Sequence, residues 1–146
     1  MSTIKEFLTS DHSRCDEIFA SMEAAANSSF EDAKVLCLEF IKATEHHFQM
    51  EERIVFAEFE KKTGMTQGPT QMMRHEHTQM RALMQDMFKA LESENKDKFF
   101  GNSETLMILL QQHNMKEEQM LYPMIEQHLN AESEYLLEMM NAMIVE

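Results

Sequence analysis

Residues 47–56 read HFQMEERIVF and residues 113–122 read HNMKEEQMLY: in each, a glutamate follows the histidine by four places, a second glutamate comes next, and an aromatic ring lies five places past the first glutamate. Residues four apart on an α-helix lie one above the other on the same face. His47 with Glu51, and His113 with Glu117, therefore each offer a nitrogen and a carboxylate to one point in space. Outward from these stretches the register persists, because Asp11-His12 is matched by Glu76-His77. His12 to His77 is 65 residues, while His47 to His113 and Glu51 to Glu117 are each 66. The pattern predicts two helix hairpins related by a pseudo-twofold. Each gives one His from its first helix and one His-x-x-x-Glu from its second.

The rest of the chain fits that arrangement. An apolar stripe through Phe7, Cys15, Phe19 and Met22, with His12 in it, predicts a first helix that fades at Ala26-Asn27-Ser28-Ser29. A second helix is expected after Ser29, on Val35, Leu36, Phe40, Ile54 and Phe59, stopping at Lys61-Lys62-Thr63-Gly64. The segment from Gly64 to Pro69 is the main loop. A third helix follows from about Thr70 to Leu91 on Met73, Met80, Met84 and Met87. After a polar connection from Glu92 to Asp97, the fourth helix is read from about Ser103, and a short helix from Ser133 to the end. The fold class is all-α: an up-down four-helix bundle with a short C-terminal helix, in a single domain spanning 1–146.

Composition removes several functions. Of 146 residues, 26 are acidic and 13 basic, giving a net charge of −13, so no nucleic acid or anionic membrane partner is expected. Three glycines and two prolines are too few for a fold of many short strands. The start, MSTIKEFLTSDH, has no apolar core of a signal peptide, and the most apolar stretch, Leu136 to Val145, is short and contains Glu138 and Asn141. Cys15 and Cys37 read as buried, reduced thiols, which points to a cytoplasmic protein. The methionines at helical spacing read as core.

Phase separates ligands from bystanders. Seven residues either way from His47 lie Phe40 and Ile54, and from His113 lie Leu106 and Met120, so both imidazoles are expected to point inward. The same step from His46 meets Glu39 and Arg53, which predicts a solvent-facing side chain. His75 falls about 200° around the helix from His77, away from the methionine stripe. His128 has no counterpart in the repeat and stands near a helix end. The metal-ligand set is thus His12, His47, Glu51, His77, His113 and Glu117. Four imidazoles and two carboxylates are too many for a structural zinc site and too nitrogen-rich for calcium or magnesium. They suit two transition ions bridged by carboxylates, with iron first and manganese or zinc behind it. The chain contains no H-E-x-x-H, P-loop, G-x-G-x-x-G or EF-hand loop, and no Glu three residues before a His as in ferritin-like sites.

These residues resemble the hemerythrin-like (HHE cation-binding) family from about residue 10 to 125. The resemblance rests on Asp11-His12, His47-Phe48-x-x-Glu51-Glu52, Glu76-His77 and His113-x-x-x-Glu117-Glu118-x-x-Leu121-Tyr122-Pro123. It implies a four-helix bundle holding two Fe ions with a bridging oxo or hydroxo, able to bind or react with O2, peroxide or nitric oxide. His12 and His47 would hold one iron, His77 and His113 the other, and Glu51 and Glu117 would bridge. With two His and two carboxylate oxygens apiece plus the bridging oxo, each iron would be five-coordinate and open to a small ligand.

There are two departures from the oxygen carriers. Their extra histidine, four residues before the counterpart of His77, is Met73 here, and their spacing of the last carboxylate would point to Glu118 where the internal repeat gives Glu117. A reactive di-iron protein, with di-iron oxidoreductase chemistry in view, is therefore the first expectation. A reversible O2 carrier or sensor is the alternative. The sequence identifies no electron donor.

Overall fold

Each main helix begins where a polar side chain or a proline meets the unpaired backbone N–H groups of a first turn. In the computed structural model, which describes residues 2–143, α1 (Ile4–Ala26) is opened by a reciprocal pair. Thr3 accepts from the Glu6 N–H, and the Glu6 carboxylate accepts from the Thr3 N–H. Ser29 accepts from the Asp32 N–H ahead of α2 (Phe30–Met50). A single π-helical turn, Glu51–Val55, joins α2 to α3 (Phe56–Thr63), which ends at Gly64 with a φ of 74°, a left-handed conformation that glycine adopts without a side-chain clash. Pro69 starts α4 (Pro69–Glu92), where its missing N–H costs nothing. Asn95 caps α5 (Lys96–Lys116), which passes through a second π turn, Glu117–Leu121, into α6 (Tyr122–Leu129). After a 3-10 turn at Asn130–Glu132 comes α7 (Ser133–Ala142). Among the described residues there is no strand, and no helix is long and apolar enough to cross a membrane.

The α1/α2 and α4/α5 hairpins dock chiefly through α2 against α4, while α7 folds back on α1 and the first π turn. Two apolar clusters result. One holds Cys15, Phe19, Cys37, Phe40, Met80, Met84, Met87 and Leu106. The other holds Ile4, Leu8, Ile54, Phe59, Met73, Leu121 and Leu136. Along each of the four rods the six histidine and glutamate positions fall between these clusters, so the polar layer is sealed by hydrocarbon above and below. Cys15 and Cys37 are free and buried, and burial pushes the Cys37 thiol up to about 12.

Several sequence expectations need correction. The fourth helix starts at Lys96 rather than near Ser103, because Asn95 accepts from the Lys98 N–H and the polar Lys96-Asp97-Lys98 run is simply an exposed first turn. Ser103 is a mid-helix residue whose hydroxyl reaches Glu23 on α1 at 2.8 Å. Val35 is 65% exposed, since the inward stripe of α2 passes through Ala33, Cys37 and Phe40. Met120 is 67% exposed, although Leu121 beside it is buried. The π turn adds a residue to the stretch that follows Glu117, so the buried apolar position two turns after His113 comes eight residues on, at Leu121, rather than seven, at Met120. His46 is half-buried rather than solvent-facing: its Nε2 lies 3.1 Å from the carbonyl of Met143, which follows α7. The expected C-terminal helix is described to Ala142, and its last expected residues, 144–146, lie outside the described residues.

Candidate metal centre

The two π turns set the site. Tyr122 N–H bonds to Glu117 O and Phe56 N–H to Glu51 O, both i→i−5 contacts, and Glu51, Phe56, Glu117 and Tyr122 are all fully buried. All six sequence-selected residues are buried in one layer, as two groups of four that share both glutamates. His12, His47, Glu51 and Glu117 form one group, and His77, His113, Glu51 and Glu117 the other. Within each group the ligand-type atoms lie within 4.8 Å of one another. Glu51 turns Oε2 to His47 Nε2 at 3.3 Å and Oε1 to His77 Nε2 at 3.1 Å. Glu117 turns Oε1 to His12 Nε2 at 3.1 Å and Oε2 to His113 Nε2 at 3.2 Å. Each carboxylate thus spans both groups.

The other nitrogen of every ring meets a carboxylate that obeys the same pseudo-twofold. Within each hairpin, His47 Nδ1 is 2.9 Å from Asp11 and His113 Nδ1 is 2.7 Å from Glu76. Across hairpins, His77 Nδ1 is 2.6 Å from Glu52 and His12 Nδ1 is 2.7 Å from Glu118. A carboxylate opposite Nδ1 fixes the proton there and leaves the Nε2 lone pair facing inward. Arg81 clamps Glu52 with both terminal nitrogens, at 2.9 and 3.0 Å, while Arg14 holds Asp11 and Lys116 holds Glu76.

Inward lone pairs facing carboxylate oxygens require a cation between them. The His77–His113 group states this directly. Its four inward atoms, Glu51 Oε1, His77 Nε2, His113 Nε2 and Glu117 Oε2, are buried without one hydrogen bond of acceptable geometry. Protons answer the same field. Against the penalty of burial, the Glu51 charge and the Asp11 hydrogen bond hold His47 well above its ordinary pKa, and Glu117 lifts His113 to about 9. His77 is raised likewise by Glu51 and Glu52. Glu51, despite its burial, is held well below the usual carboxylate range by the charge of His47 and by its close polar contacts with Glu117, His47 and His77. The donor set and its unpaired atoms fit a metal pair.

His75 lies exposed and outside the layer, as its phase predicted, and His128, which has no counterpart in the repeat, is also exposed, its Nδ1 donating to the Met124 carbonyl near the end of α6. Met73 is buried in the second apolar cluster. Glu118 meets His12 through Nδ1 and contributes no atom to either group of four. Sequence reasoning assigned no role to Tyr122, whose hydroxyl contacts Glu51 and Glu117 inside the layer. The signal was the pairing of Phe56 with Tyr122 at equivalent places in the repeat, two aromatic rings that differ by a hydroxyl. Sequence reasoning also gave no role to Asp11, Glu52 and Glu76, and weighed Glu118 only as the alternative to Glu117, although all four lie in the repeat. Arg81 and Lys116 carried no such signal.

A family model described as Hemerythrin HHE cation binding domain matches residues 3–125. No curated protein and no solved structure matches the chain.

Proposed function

The chain belongs to the hemerythrin HHE cation-binding domain family, and from that membership we propose that it is a non-heme di-iron protein. At a carboxylate-bridged centre it would bind or react with O2, peroxide or nitric oxide. The observation that carries the reading is the set of four buried, unpaired donor atoms on Glu51, His77, His113 and Glu117. His12 and His47 would hold one ion, His77 and His113 the other, and Glu51 and Glu117 would bridge, with an oxo or hydroxo completing the link. An imidazole-rich set with only two carboxylates suits iron or zinc better than manganese, and the resemblance to the hemerythrin-like family puts iron first. When bound, such a pair supplies Lewis acidity and electrons to a small ligand at an open position.

The chain's own residues prepare that chemistry. Asp11, Glu52, Glu76 and Glu118 orient the rings and fix the tautomer of each neutral imidazole with its proton on Nδ1, so that its Nε2 lone pair faces the metal position. Phe48 stacks on His77 with ring centroids 3.9 Å apart, and Phe56 follows at 6.0 Å, so hydrocarbon excludes water from that half. Beside His12 and His47 is a cavity of about 10 Å³, room for about one water-sized molecule. The buried free thiols of Cys15 and Cys37 suit a reducing, cytosolic setting.

Anaerobic loading with ferrous iron followed by metal analysis tests the reading. Two ions per chain are expected, and one or none would overturn it. Mixing the loaded protein with O2 then separates a reactive centre from a carrier. A spectral change that does not reverse under vacuum is expected, whereas full reversibility over repeated cycles would establish the carrier reading.

A further inference from the structure

Tyr122 breaks the pseudo-twofold at one atom. Its ring lies against His12 with centroids 5.7 Å apart at 24°, just as Phe56 lies against His77 at 6.0 Å and 15°. The two rings therefore occupy equivalent places in the two halves. The phenylalanine ends in a C–H and leaves the four inward atoms of its half unpaired. The tyrosine puts an oxygen among the other four. That oxygen lies 3.2 Å from His12 Nε2, 3.3 Å from His47 Nε2, 3.1 Å from Glu117 Oε1 and in short contact with Glu51 Oε2. These are the four inward ligand-type atoms of the first group.

One hydroxyl proton can serve one acceptor, yet four ligand-type atoms surround it, and with Nδ1 of each ring held by a carboxylate a neutral imidazole turns its Nε2 lone pair, not a proton, to the hydroxyl. A fully buried phenol fixed by packing in this position is a fifth donor atom in a cation site. We propose that Tyr122 is a protein ligand to the metal held by His12 and His47, so that the two metal positions are inequivalent and only the one beside Phe56 stays open to an exogenous ligand. The proposal rests on the reading of the six residues as ligands to two ions. On coordination the phenol O–H bond is replaced by an oxygen–metal bond, and the proton leaves to solvent.

The test uses the full chain loaded with two ferric ions. Resonance Raman excitation in the visible should show ring modes of a tyrosinate bound to iron, accompanied by a charge-transfer band. Tyr122→Phe should lose both the modes and the band while keeping two irons per chain and an unchanged helical circular dichroism spectrum. A wild-type protein that holds two irons and shows no tyrosinate modes overturns the inference and leaves the two-ion reading standing. Persistence of those modes in Tyr122→Phe overturns it as well, because Tyr135, the other tyrosine, would be their source. Fewer than two irons in the wild type fells the reading and this extension together.

Discussion

At the scale of single residues, adjacent glutamates have different tasks because a helix turns about 100° per residue. Glu117 is fully buried and faces His12 and His113, whereas Glu118 sits behind His12 at its Nδ1. Glu117→Ala should therefore abolish the binding of two irons, since it removes an oxygen from both groups. Glu118→Ala should keep the stoichiometry and weaken iron about 10- to 100-fold, the range for loss of a carboxylate that orients a ligand. Titrating both variants with ferrous iron checks this, and the reverse order would restore Glu118 as the bridge. The histidines outside the layer divide too. His75→Ala should change stability by no more than about 0.5 kcal/mol, while His46→Ala loses the bond to the Met143 carbonyl and should cost about 1 kcal/mol. Neither should alter iron content.

At the scale of elements, the π turns decide what lies inside. Were α5 and α6 one regular α-helix, Met120 would return to the inward face two turns after His113, and Leu121 would be carried past it. The observed order is the opposite, with Met120 67% exposed and Leu121 buried at 3%. Chemical denaturation of metal-free variants reads this register. Leu121→Ala should cost about 2–5 kcal/mol and Met120→Ala no more than about 0.5 kcal/mol. Equal or inverted losses would mean that the turn is not π-helical in solution. The bulge explains why Glu117 and Tyr122, five residues apart, both enter the layer, which the 3.6-residue period could not have indicated.

At the scale of the whole molecule, the buried charges tie stability and metal binding to pH in opposite senses. His47, His77 and His113 are raised by their carboxylates above the ordinary value of 6.5, His113 to about 9. Their contribution to the metal-free fold is fully present below 6.5 and is lost as pH rises through the raised values. Glu51 is lowered from an ordinary 4.5, so its contribution is present above that value and lost as pH falls. The metal-free protein should therefore unfold at lower denaturant at pH 9.5 than at pH 6, pH values about half a unit outside the interval between the ordinary and the raised value of His113. Iron competes with those same protons, so its affinity should rise over the interval. Parallel denaturation and iron titrations would expose a common sign, which would refute the linkage.

By itself the sequence determined that the chain is helical, that two hairpins repeat, and which histidines and glutamates share faces, because helical periodicity and a 65- to 66-residue spacing are properties of order along one chain. Only the tertiary structure decided what stands opposite each ring nitrogen, that α7 brings Met143 to His46, and that Tyr122 enters one half where Phe56 enters the other. Those facts depend on the approach of separate helices and on an extra residue in a turn, neither of which leaves a periodic trace in the sequence.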